Sequence, residues 1–340
     1  MGTVQDIGVD LGTSSVVIYG KNKGVILNEP AVIAIERDTR NILAVGDDAY
    51  KMVGRTPGNI IALRPLQGGT VKDHEMASAM LRFLVPKVVG KRLLGGPRVV
   101  FSAPAGVNDN DRVNLSGSFF EVGARRVDFM ERPIAAALGA GLPIGEAYGQ
   151  MICDIGGADT EVAVTSLGQM SVREVVKVGG DKFSEAIIRY VRRKHNLLIG
   201  EVTAEDLKRH IGSVIPREDH FYMEVIGRDL LTGLPKPQKI HSYEITEALD
   251  EPLQELLEGV HDVLEHAPAE LVSDVFESGV ILTGGGALIS GLSEAVAASM
   301  NLACRLAENP QECVARGCGL ALENWAENGR FISSHRRHGG

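Results

Sequence analysis

Two segments of this sequence place a carboxylate beside a glycine turn at the end of an apolar run. They are Asp10-Leu11-Gly12-Thr13-Ser14-Ser15 and Asp154-Ile155-Gly156-Gly157. The backbone N–H groups of such a turn, together with neighbouring hydroxyls, can hold phosphate oxygens. Two carboxylates that face a phosphate chain suit an octahedral Mg²⁺ that keeps most of its waters. One copy alone would also fit an ordinary hairpin turn, but two copies favour a phosphate and magnesium site.

A third glycine turn, Thr283-Gly284-Gly285-Gly286-Ala287, follows the apolar run 280–282. Glycine has no side chain, so the backbone of this turn can approach a ligand closely. The turn suits the nucleoside end of a ligand whose phosphates lie between the first two turns. The three turns in this order therefore predict a nucleotide site.

The elements that position the acidic turns form a weak internal repeat. Residues 4–12 and 16–19 are expected to form a β-hairpin, and 150–157 with 161–166 repeat that pattern in the second half of the chain. Two such units indicate two similar α/β domains whose turns face one ligand. A further strand is predicted over 31–35, whereas 214–241 shows no clear period. Helical periodicity occurs in five segments: 74–89, 182–195, 204–211, 245–265 and 291–299.

Composition limits the class of protein. The 340 residues are 44% hydrophobic and 23% charged, a globular balance with room for two domains. A formal net charge of -9 opposes non-specific attraction to nucleic acid, so no nucleic-acid partner is expected. The four cysteines form no CxxC pair and are too few for a disulfide framework, so reduced thiols are expected. No signal segment and no apolar run near the ~20 residues of a membrane span are found, which predicts the cytoplasm with peripheral membrane contact at most.

Four further segments narrow the choice of family. They are Ile61-Ala62-Leu63-Arg64-Pro65-Leu66 and the runs 135–143, 178–182 and 227–235. Together with the three turns, they resemble the MreB family of bacterial actin-like proteins, within the superfamily of actin, sugar kinases and heat-shock chaperone ATPases. The resemblance covers nearly the whole chain. It implies an α/β, actin-like ATPase fold in which two related ribonuclease-H-like domains, each with a smaller subdomain, face a nucleotide cleft.

The resemblance also implies domain boundaries. Domain I is expected over 1–142, with a subdomain insertion at about 30–64 and a C-terminal helix at about 311–327 that packs back on it. Domain II is expected over 143–310, with an insertion at about 180–264. Residues 328–340 are expected to form a disordered basic tail.

Carried over residue by residue, the resemblance implies an ATP and Mg²⁺ site. Asp10 and Asp154 would hold the metal, largely through water. The ATP and phosphate contacts would be Asp10, Gly12, Thr13, Ser14, Ser15, Asp154, Gly156, Gly157, Ala158, Asp159 and Thr160. The nucleoside contacts would be Gly180, Asp181, Glu205, Lys208, Gly284, Gly285, Gly286 and Ala287. For Glu205 and Lys208, a solvated i,i+3 pair on a helix is the alternative.

Two departures from the family pattern concern hydrolysis. Ala158 and Asp159 replace the third glycine and the first threonine of the second phosphate loop, and Arg132 replaces the glutamate that helps to position the attacking water. We predict an Arg132–Asp159 pair that binds nucleotide but hydrolyses it slowly, because misplacing a water-orienting group costs ~10²–10⁴ in rate. The alternatives are that the displaced Glu131 recovers the role, or that Asp159 orients water.

Leu93 and Leu94 lie in an expected loop between Lys91-Arg92 and Arg98. This pattern suits a loop that inserts into an anionic membrane, with burial in the helix core as the alternative. Two inserted leucines contribute at most roughly 3–6 kcal/mol, so a single protomer would bind weakly. A polymer presents many loops, so attachment would depend on filament formation.

The resemblance therefore implies an ATP-binding cytoskeletal protein that forms homopolymeric, membrane-associated filaments and organises cell shape and cell-wall synthesis. Its expected partners are other copies of the chain, anionic membrane at the inner face of the cell membrane, and membrane proteins of morphogenesis. A non-hydrolysing actin-like scaffold, or a regulator of another filament, is the main alternative. A sugar kinase is less favoured because no base for a sugar hydroxyl is found, and a chaperone ATPase because only a short tail follows Trp325.

Overall fold

The computed structural model describes residues 6–89, 96–218 and 221–335. Its strands are β1 (Ile7–Leu11), β2 (Ser15–Gly20), β3 (Gly24–Pro30), β4 (Ile33–Glu36), β5 (Ile42–Val45), β6 (Ile60–Leu63), β7 (Leu66–Gln67), β8 (Thr70–Val71), β9 (Arg98–Ser102), β10 (Arg126–Phe129), β11 (Gln150–Ile155), β12 (Thr160–Ser166), β13 (Gln169–Val176), β14 (Leu197–Leu198), β15 (Tyr222–Asp229), β16 (Pro235–His241), β17 (Val280–Thr283), β18 (Cys304–Leu306) and β19 (Ser333–His335). Its α-helices are α1 (Asp47–Tyr50), α2 (His74–Val89), α3 (Asp109–Glu121), α4 (Arg132–Gly139), α5 (Gly180–His195), α6 (Glu201–Ile211), α7 (Ser242–His266), α8 (Ala269–Ser278), α9 (Leu292–Met300), α10 (Cys313–Glu323) and α11 (Trp325–Asn328).

Two sheets with the same strand order form the centre of the molecule. The first runs β19-β10-β9-β1-β2-β3 and the second runs β18-β17-β11-β12-β13. In each, the strand that carries the acidic turn lies antiparallel to the next strand and parallel to a later one. The internal repeat predicted from the acidic turns is therefore present as a repeated topology.

The two repeated strands are buried along their whole length. Every residue of β1 and of β11 is buried. A central strand covered on both faces needs a continuous apolar run rather than alternation, which explains why both segments are apolar up to their aspartates. The apolar runs thus determine where the two acidic side chains lie, because each aspartate stands near the end of a buried strand.

A shared core between the two sheets holds α4 and α10. It joins Val100 of the first sheet to Ile152 and Ile281 of the second, through the alanines of α4 and the apolar face of α10. The two helices touch through glycine: a Cβ on Gly317 would lie 1.9 Å from the carbonyl oxygen of Ala135. This close approach places the first residue of α4, Arg132, between the two sheets.

Two three-stranded sheets accompany the central ones, and β7 pairs with β8 in a two-stranded sheet. The order β5-β4-β6 falls within the predicted insertion at 30–64, and β14-β15-β16 falls within the predicted insertion at 180–264. The region 214–241, which had no readable period, contains the β15–β16 hairpin. Few residues of that hairpin are buried. Its strands therefore lack the alternation of apolar and polar residues that marks a strand with one buried face.

Helix α2 has the predicted bounds, and the other four predicted helices correspond to α5, α6, α7 and α9. The strand predicted over 31–35 corresponds to β4, which starts two residues later at Ile33 and ends at Glu36. The disordered tail predicted from 328 was wrong over 329–335. There a short 3-10 turn, Gly329–Phe331, leads into β19, which pairs with β10. Residues 336–340 lie outside the described residues.

Candidate functional site

The two acidic turns have the same backbone geometry. The Gly12 N–H donates to the carbonyl oxygen of Ser15 at 3.0 Å, and the Gly156 N–H donates to that of Asp159 at 2.9 Å. Ser15 and Asp159 therefore hold equivalent positions in the two repeats. The carboxyl ends of parallel strands meet at one edge of a sheet, and this is where ligands bind in open α/β folds.

The tips of the two turns face each other. A Cβ on Gly157 would lie 1.9 Å from the Ser14 Oγ and 3.1 Å from the Thr13 Oγ1. Only glycine leaves room for this approach. Thr13 is buried, whereas Ser14 and Ala158 are partly exposed. The predicted phosphate contacts Thr13, Ser14 and Gly157 of the two halves are thus brought close together.

Arg132 occupies the space between the two aspartates. Its Nη1 donates to the Asp10 Oδ1 at 2.7 Å, its Nη2 to the Asp10 Oδ2 at 3.4 Å, and its Nε to the Asp154 Oδ2 at 2.6 Å. The remaining oxygen, Asp154 Oδ1, accepts a hydrogen bond from the Thr283 hydroxyl at 2.8 Å. All three charged side chains are buried. The site is therefore a buried ion triad that links the two repeats.

Burial and charge act in opposite directions on this triad. Burial raises the pKa of Asp10, and Arg132 offsets part of that rise. Burial alone would lower the pKa of Arg132, but the neighbouring carboxylates Asp10, Asp154 and Glu161 outweigh it, so the pKa of Arg132 lies well above its ordinary value. Arg132 is therefore a permanent cation at this position.

The predicted Arg132–Asp159 pair was wrong. Arg132 is bound to the two strand-end aspartates, and Asp159 lies 3.4 Å from the Lys177 Nζ. Asp159 is buried and also packs against Gly69, where a Cβ would come within 2.2 Å of its Oδ2. The physical reason is distance along the strand: Asp159 belongs to the turn, whereas the guanidinium reaches the carboxylates at the strand ends.

Glu131 and Glu161 share a second ionic cluster beside the triad. Glu131 accepts hydrogen bonds from Arg112 at 3.2 Å and from Arg173 at 3.4 Å. Glu161 accepts from Arg173 at 2.7 Å and from the Ala105 N–H at 3.0 Å. Burial is the main cause that raises the pKa of Glu161 to about 7. Sequence reasoning missed Glu161 as a site residue; its only sequence signal is its place one residue after Thr160 at the start of β12.

The predicted nucleoside contacts lie directly behind the second turn. The Gly180 N–H donates to the Gly156 carbonyl at 2.9 Å, and the Lys208 Nζ donates to the Gly180 carbonyl at 2.7 Å. Lys208 is buried and pairs with Glu205 at 2.6 Å, so the alternative of a solvated pair was wrong for Lys208. The Asp181 side chain accepts from Arg64 at 3.3 Å, a contact between the two halves of the chain.

Two predicted residues have structural partners. The Thr160 hydroxyl donates to the Val178 carbonyl at 2.7 Å and is buried. Gly284 has a φ of 82° and stands where a Cβ would lie 2.3 Å from the Ile155 carbonyl, so this turn needs glycine. The third turn, Gly284 to Ala287, thereby packs against the second one, and all three predicted turns border one gap.

Two similarly ordered sheets, each contributing an aspartate and a glycine turn to a shared gap, define an actin-like nucleotide-binding fold. Two relatives are similar over most of their length: the cell shape-determining protein Mbl of Bacillus cereus, 43% identical over 94% of this chain and 96% of the relative, and MreB of Escherichia coli K12, 45% identical over 94% and 93%. The model of the family described as "MreB/Mbl protein" matches residues 4–330 of this chain. The chain belongs to the MreB/Mbl family.

Solved structures agree with this assignment. MreB 5 of Spiroplasma citri, solved with AMPPNP bound, has a TM-score of 0.90 and 34% identity, covering 97% of this chain and 99% of that one. A MamK double helical filament has a TM-score of 0.79 at 19% identity, covering 94% and 98%, which bears on the fold alone. The family resemblance and the actin-like α/β fold predicted from the sequence are confirmed.

The described residues include only some of the features that were expected to contact a membrane. Among the helices of the described residues, none is both long and apolar enough to cross a bilayer. Leu93 and Leu94 lie outside the described residues. The Arg98 guanidinium, expected to face anionic lipid, instead lies 3.7 Å from the ring centre of Trp325 and is partly buried. The attraction of Arg98 to anionic lipid stays a prediction.

Proposed function

We propose that this chain binds ATP in the gap between the two acidic turns and polymerises into filaments that contribute to cell shape. One observation carries the proposal. Arg132 bridges the strand-end residues Asp10 and Asp154, and the matching glycine turns face each other, in a chain that belongs to the MreB/Mbl family. The proposal keeps the domain boundaries expected from the sequence, 1–142 and 143–310, which the presence of two separate central sheets supports.

Relatives support both parts of the proposal. MreB 5 of Spiroplasma citri was solved with AMPPNP and also with ADP, and the MamK assembly is described as a double helical filament. The predicted phosphate residues Gly12, Thr13, Gly156 and Gly157 would hold the ATP phosphates, and Gly180, Lys208 and the third turn would surround the nucleoside. Self-association is then the partner class that the family supports best.

The test uses the purified full chain. ATP should raise its unfolding temperature and promote pelleting in sedimentation, with filaments visible by electron microscopy. Gly157→Val should abolish the nucleotide effect, because any Cβ at Gly157 meets Ser14 and closes the gap between the turns. Gly58→Val, at a position where a Cβ would meet nothing within 4 Å, is the control. Wild-type unfolding temperature unchanged by ATP would refute the proposal.

The Mg²⁺ expected at Asp10 and Asp154 does not fit these residues as they stand. Each of the four carboxylate oxygens already accepts a hydrogen bond, three from Arg132 and one from Thr283. Within the described residues, no group of three or more His, Cys, Asp or Glu side chains is arranged to hold a metal ion. A magnesium-dependent step is therefore not part of the proposal.

We propose slow hydrolysis for the same reason. Arg132 is tied to both aspartates, Glu131 to two arginines, and Asp159 lies against Lys177. A group that positions an attacking water needs a free acceptor within hydrogen-bond reach of it. The two carboxylates that stood as alternatives are thus both engaged by cations, which favours a nucleotide-binding scaffold with little turnover.

Peripheral attachment to anionic membrane at Leu93 and Leu94 is a further part of the proposal. Since Arg98 packs on Trp325, electrostatic attraction would rest on Lys91 and Arg92. Filaments of the wild type should co-sediment with phosphatidylglycerol vesicles, and the double variant Leu93→Ser, Leu94→Ser should form filaments that do not. Equal pelleting of both proteins would exclude the loop. Morphogenesis proteins of the membrane are the partners expected on such a surface.

A further inference from the structure

The positive charge between Asp10 and Asp154 is supplied by the chain itself. In the described residues, the guanidinium of Arg132 makes three hydrogen bonds to the two carboxylates, two of them shorter than 3 Å. Short contacts between N–H and carboxylate are the strong, charge-assisted kind. Arg132 therefore stands where two facing carboxylates would otherwise call for a divalent cation.

The fork of the guanidinium leaves part of it free for a ligand. Arginine carries five N–H donors in a fixed plane, and the three bonds to Asp10 and Asp154 use three of them. One N–H on each terminal nitrogen is left over. These two N–H groups lie on opposite edges of the guanidinium plane, so each can donate one charge-assisted hydrogen bond to a phosphate oxygen.

The packing of helix α4 determines the position of Arg132. Arg132 is the first residue of α4, and α4 is held against α10 by the contact of Gly317 with Ala135. Its side chain is only 9% exposed. Charge also fixes it, since removal of either partner would leave a buried, unpaired ion.

We propose that Arg132 replaces the divalent cation of the nucleotide site, so that this chain binds ATP through the guanidinium with little dependence on Mg²⁺. The inference rests on the proposed nucleotide site. Two protein carboxylates and the phosphate chain share one fixed cation, whose remaining N–H groups donate to phosphate oxygens. Nucleotide binding then continues when divalent metal is absent.

The dependence of ATP binding on Mg²⁺ can be tested with the wild-type protein alone. Its dissociation constant for ATP is measured by calorimetry in 5 mM Mg²⁺ and in EDTA; the expected change is less than about threefold, because removing Mg²⁺ removes no direct protein contact. A loss of roughly tenfold or more in EDTA would overturn the inference while leaving the proposed function intact. Absence of binding in both buffers would overturn the proposed function as well.

Variants of the arginine show whether it is the cation responsible. Arg132→Gln should weaken ATP binding in EDTA by at least about tenfold and regain affinity in Mg²⁺, because a charge-assisted bond to phosphate is lost. Arg132→Lys should bind ATP in EDTA with an affinity between those of the wild type and Arg132→Gln, since an ammonium keeps the charge but has only three N–H donors for the two carboxylates and the phosphate. Arg126→Gln, which removes an arginine paired with Asp128 instead, is the matched control and should keep the wild-type ratio. Equal metal dependence of Arg132→Gln and the wild type would overturn the assignment.

Discussion

Glu161 is a buried carboxylate whose partners do not fully offset its loss of water. Arg173 and the Ala105 N–H bind its two oxygens, yet burial still raises the pKa of Glu161 to about 7 from 4.5. Between about pH 4.5 and pH 7, Glu161 is therefore protonated in the folded state and ionised in the unfolded chain. Its contribution to stability is fully present below about pH 4.5 and is lost as pH rises through about 7.

Glu161→Gln should remove this pH dependence. Relative to the variant, the wild type should lose about 2–3 kcal/mol of unfolding free energy between pH 5 and pH 8, from a pKa shift worth about 1.4 kcal/mol per unit. Urea unfolding at the two pH values measures it. Glu174→Gln on an exposed position of β13 is the control, and identical pH profiles for Glu161→Gln and the wild type would show that burial does not shift this carboxyl.

Arg132 and Asp159 are the residues at which the proposal of slow hydrolysis can be tested. Changing Arg132→Glu with Asp159→Thr, in excess Mg²⁺, should raise phosphate release severalfold or more, because it returns the family residues to both positions. Misplaced water-orienting groups cost ~10²–10⁴ in rate, so even partial recovery is measurable. Phosphate release is followed over one turnover per site. A wild type already as fast as the double variant would show that Glu131, Asp159 or another group orients water.

At the scale of elements, the position of Arg132 depends on how closely α4 and α10 approach. A Cβ on Gly317 would lie 1.9 Å from the Ala135 carbonyl, and one on Gly139 would lie 1.8 Å from the Cys313 carbonyl. Both obstacles are backbone atoms, so a side chain cannot simply turn away. The two glycines let one helix touch the other and carry the triad between the sheets.

Gly317→Ala should destabilise the protein by about 1–3 kcal/mol or more, because an inserted methyl in a closely packed contact forces the backbone to shift. Gly117→Ala is the matched control in the interior of α3. A Cβ there meets nothing within 4 Å, so it should stabilise by about 0.5–1 kcal/mol through helix propensity. Urea unfolding of both variants compares them. Gly317→Ala as stable as the wild type would mean that the helices separate at little cost.

The sequence predicted these elements unevenly. The buried runs that become β1 and β11 and the long amphipathic helix α2 were readable, because continuous burial and a period of 3.6 residues leave a direct trace. The β15–β16 hairpin left no such trace in the sequence, since few of its side chains are buried.

For the site, the two phosphate turns could be predicted from residue types. The partner of Arg132 could not, because it depends on how α4 is placed between two sheets.

At the scale of the whole molecule, three of the contacts that join the two halves of the chain differ in how easily they open. A shared apolar core around α4 and α10 lies between the sheets, and the buried triad of Arg132 lies beside it. At the outer side of the gap, Arg64 pairs with Asp181 at 3.3 Å and with Glu201 at 2.5 Å. The first two contacts are buried and costly to open. The Arg64 contact is partly exposed, so it can open without unfolding of the protein.

Arg64→Ala should therefore change the rate of nucleotide release more than it changes stability. Partly exposed ion pairs contribute about 0–1 kcal/mol, so the unfolding free energy should shift by less than about 1 kcal/mol. Release of a fluorescent ATP analogue, chased with excess ATP in a stopped-flow instrument, should become severalfold faster, because most effects of such contacts fall on dissociation. Arg82→Ala removes an ion pair with Glu121 within the first half of the chain and should release nucleotide at the wild-type rate. If Arg64→Ala also releases at the wild-type rate, the ion pairs of Arg64 do not keep the two halves closed, and closure rests on the other contacts between them.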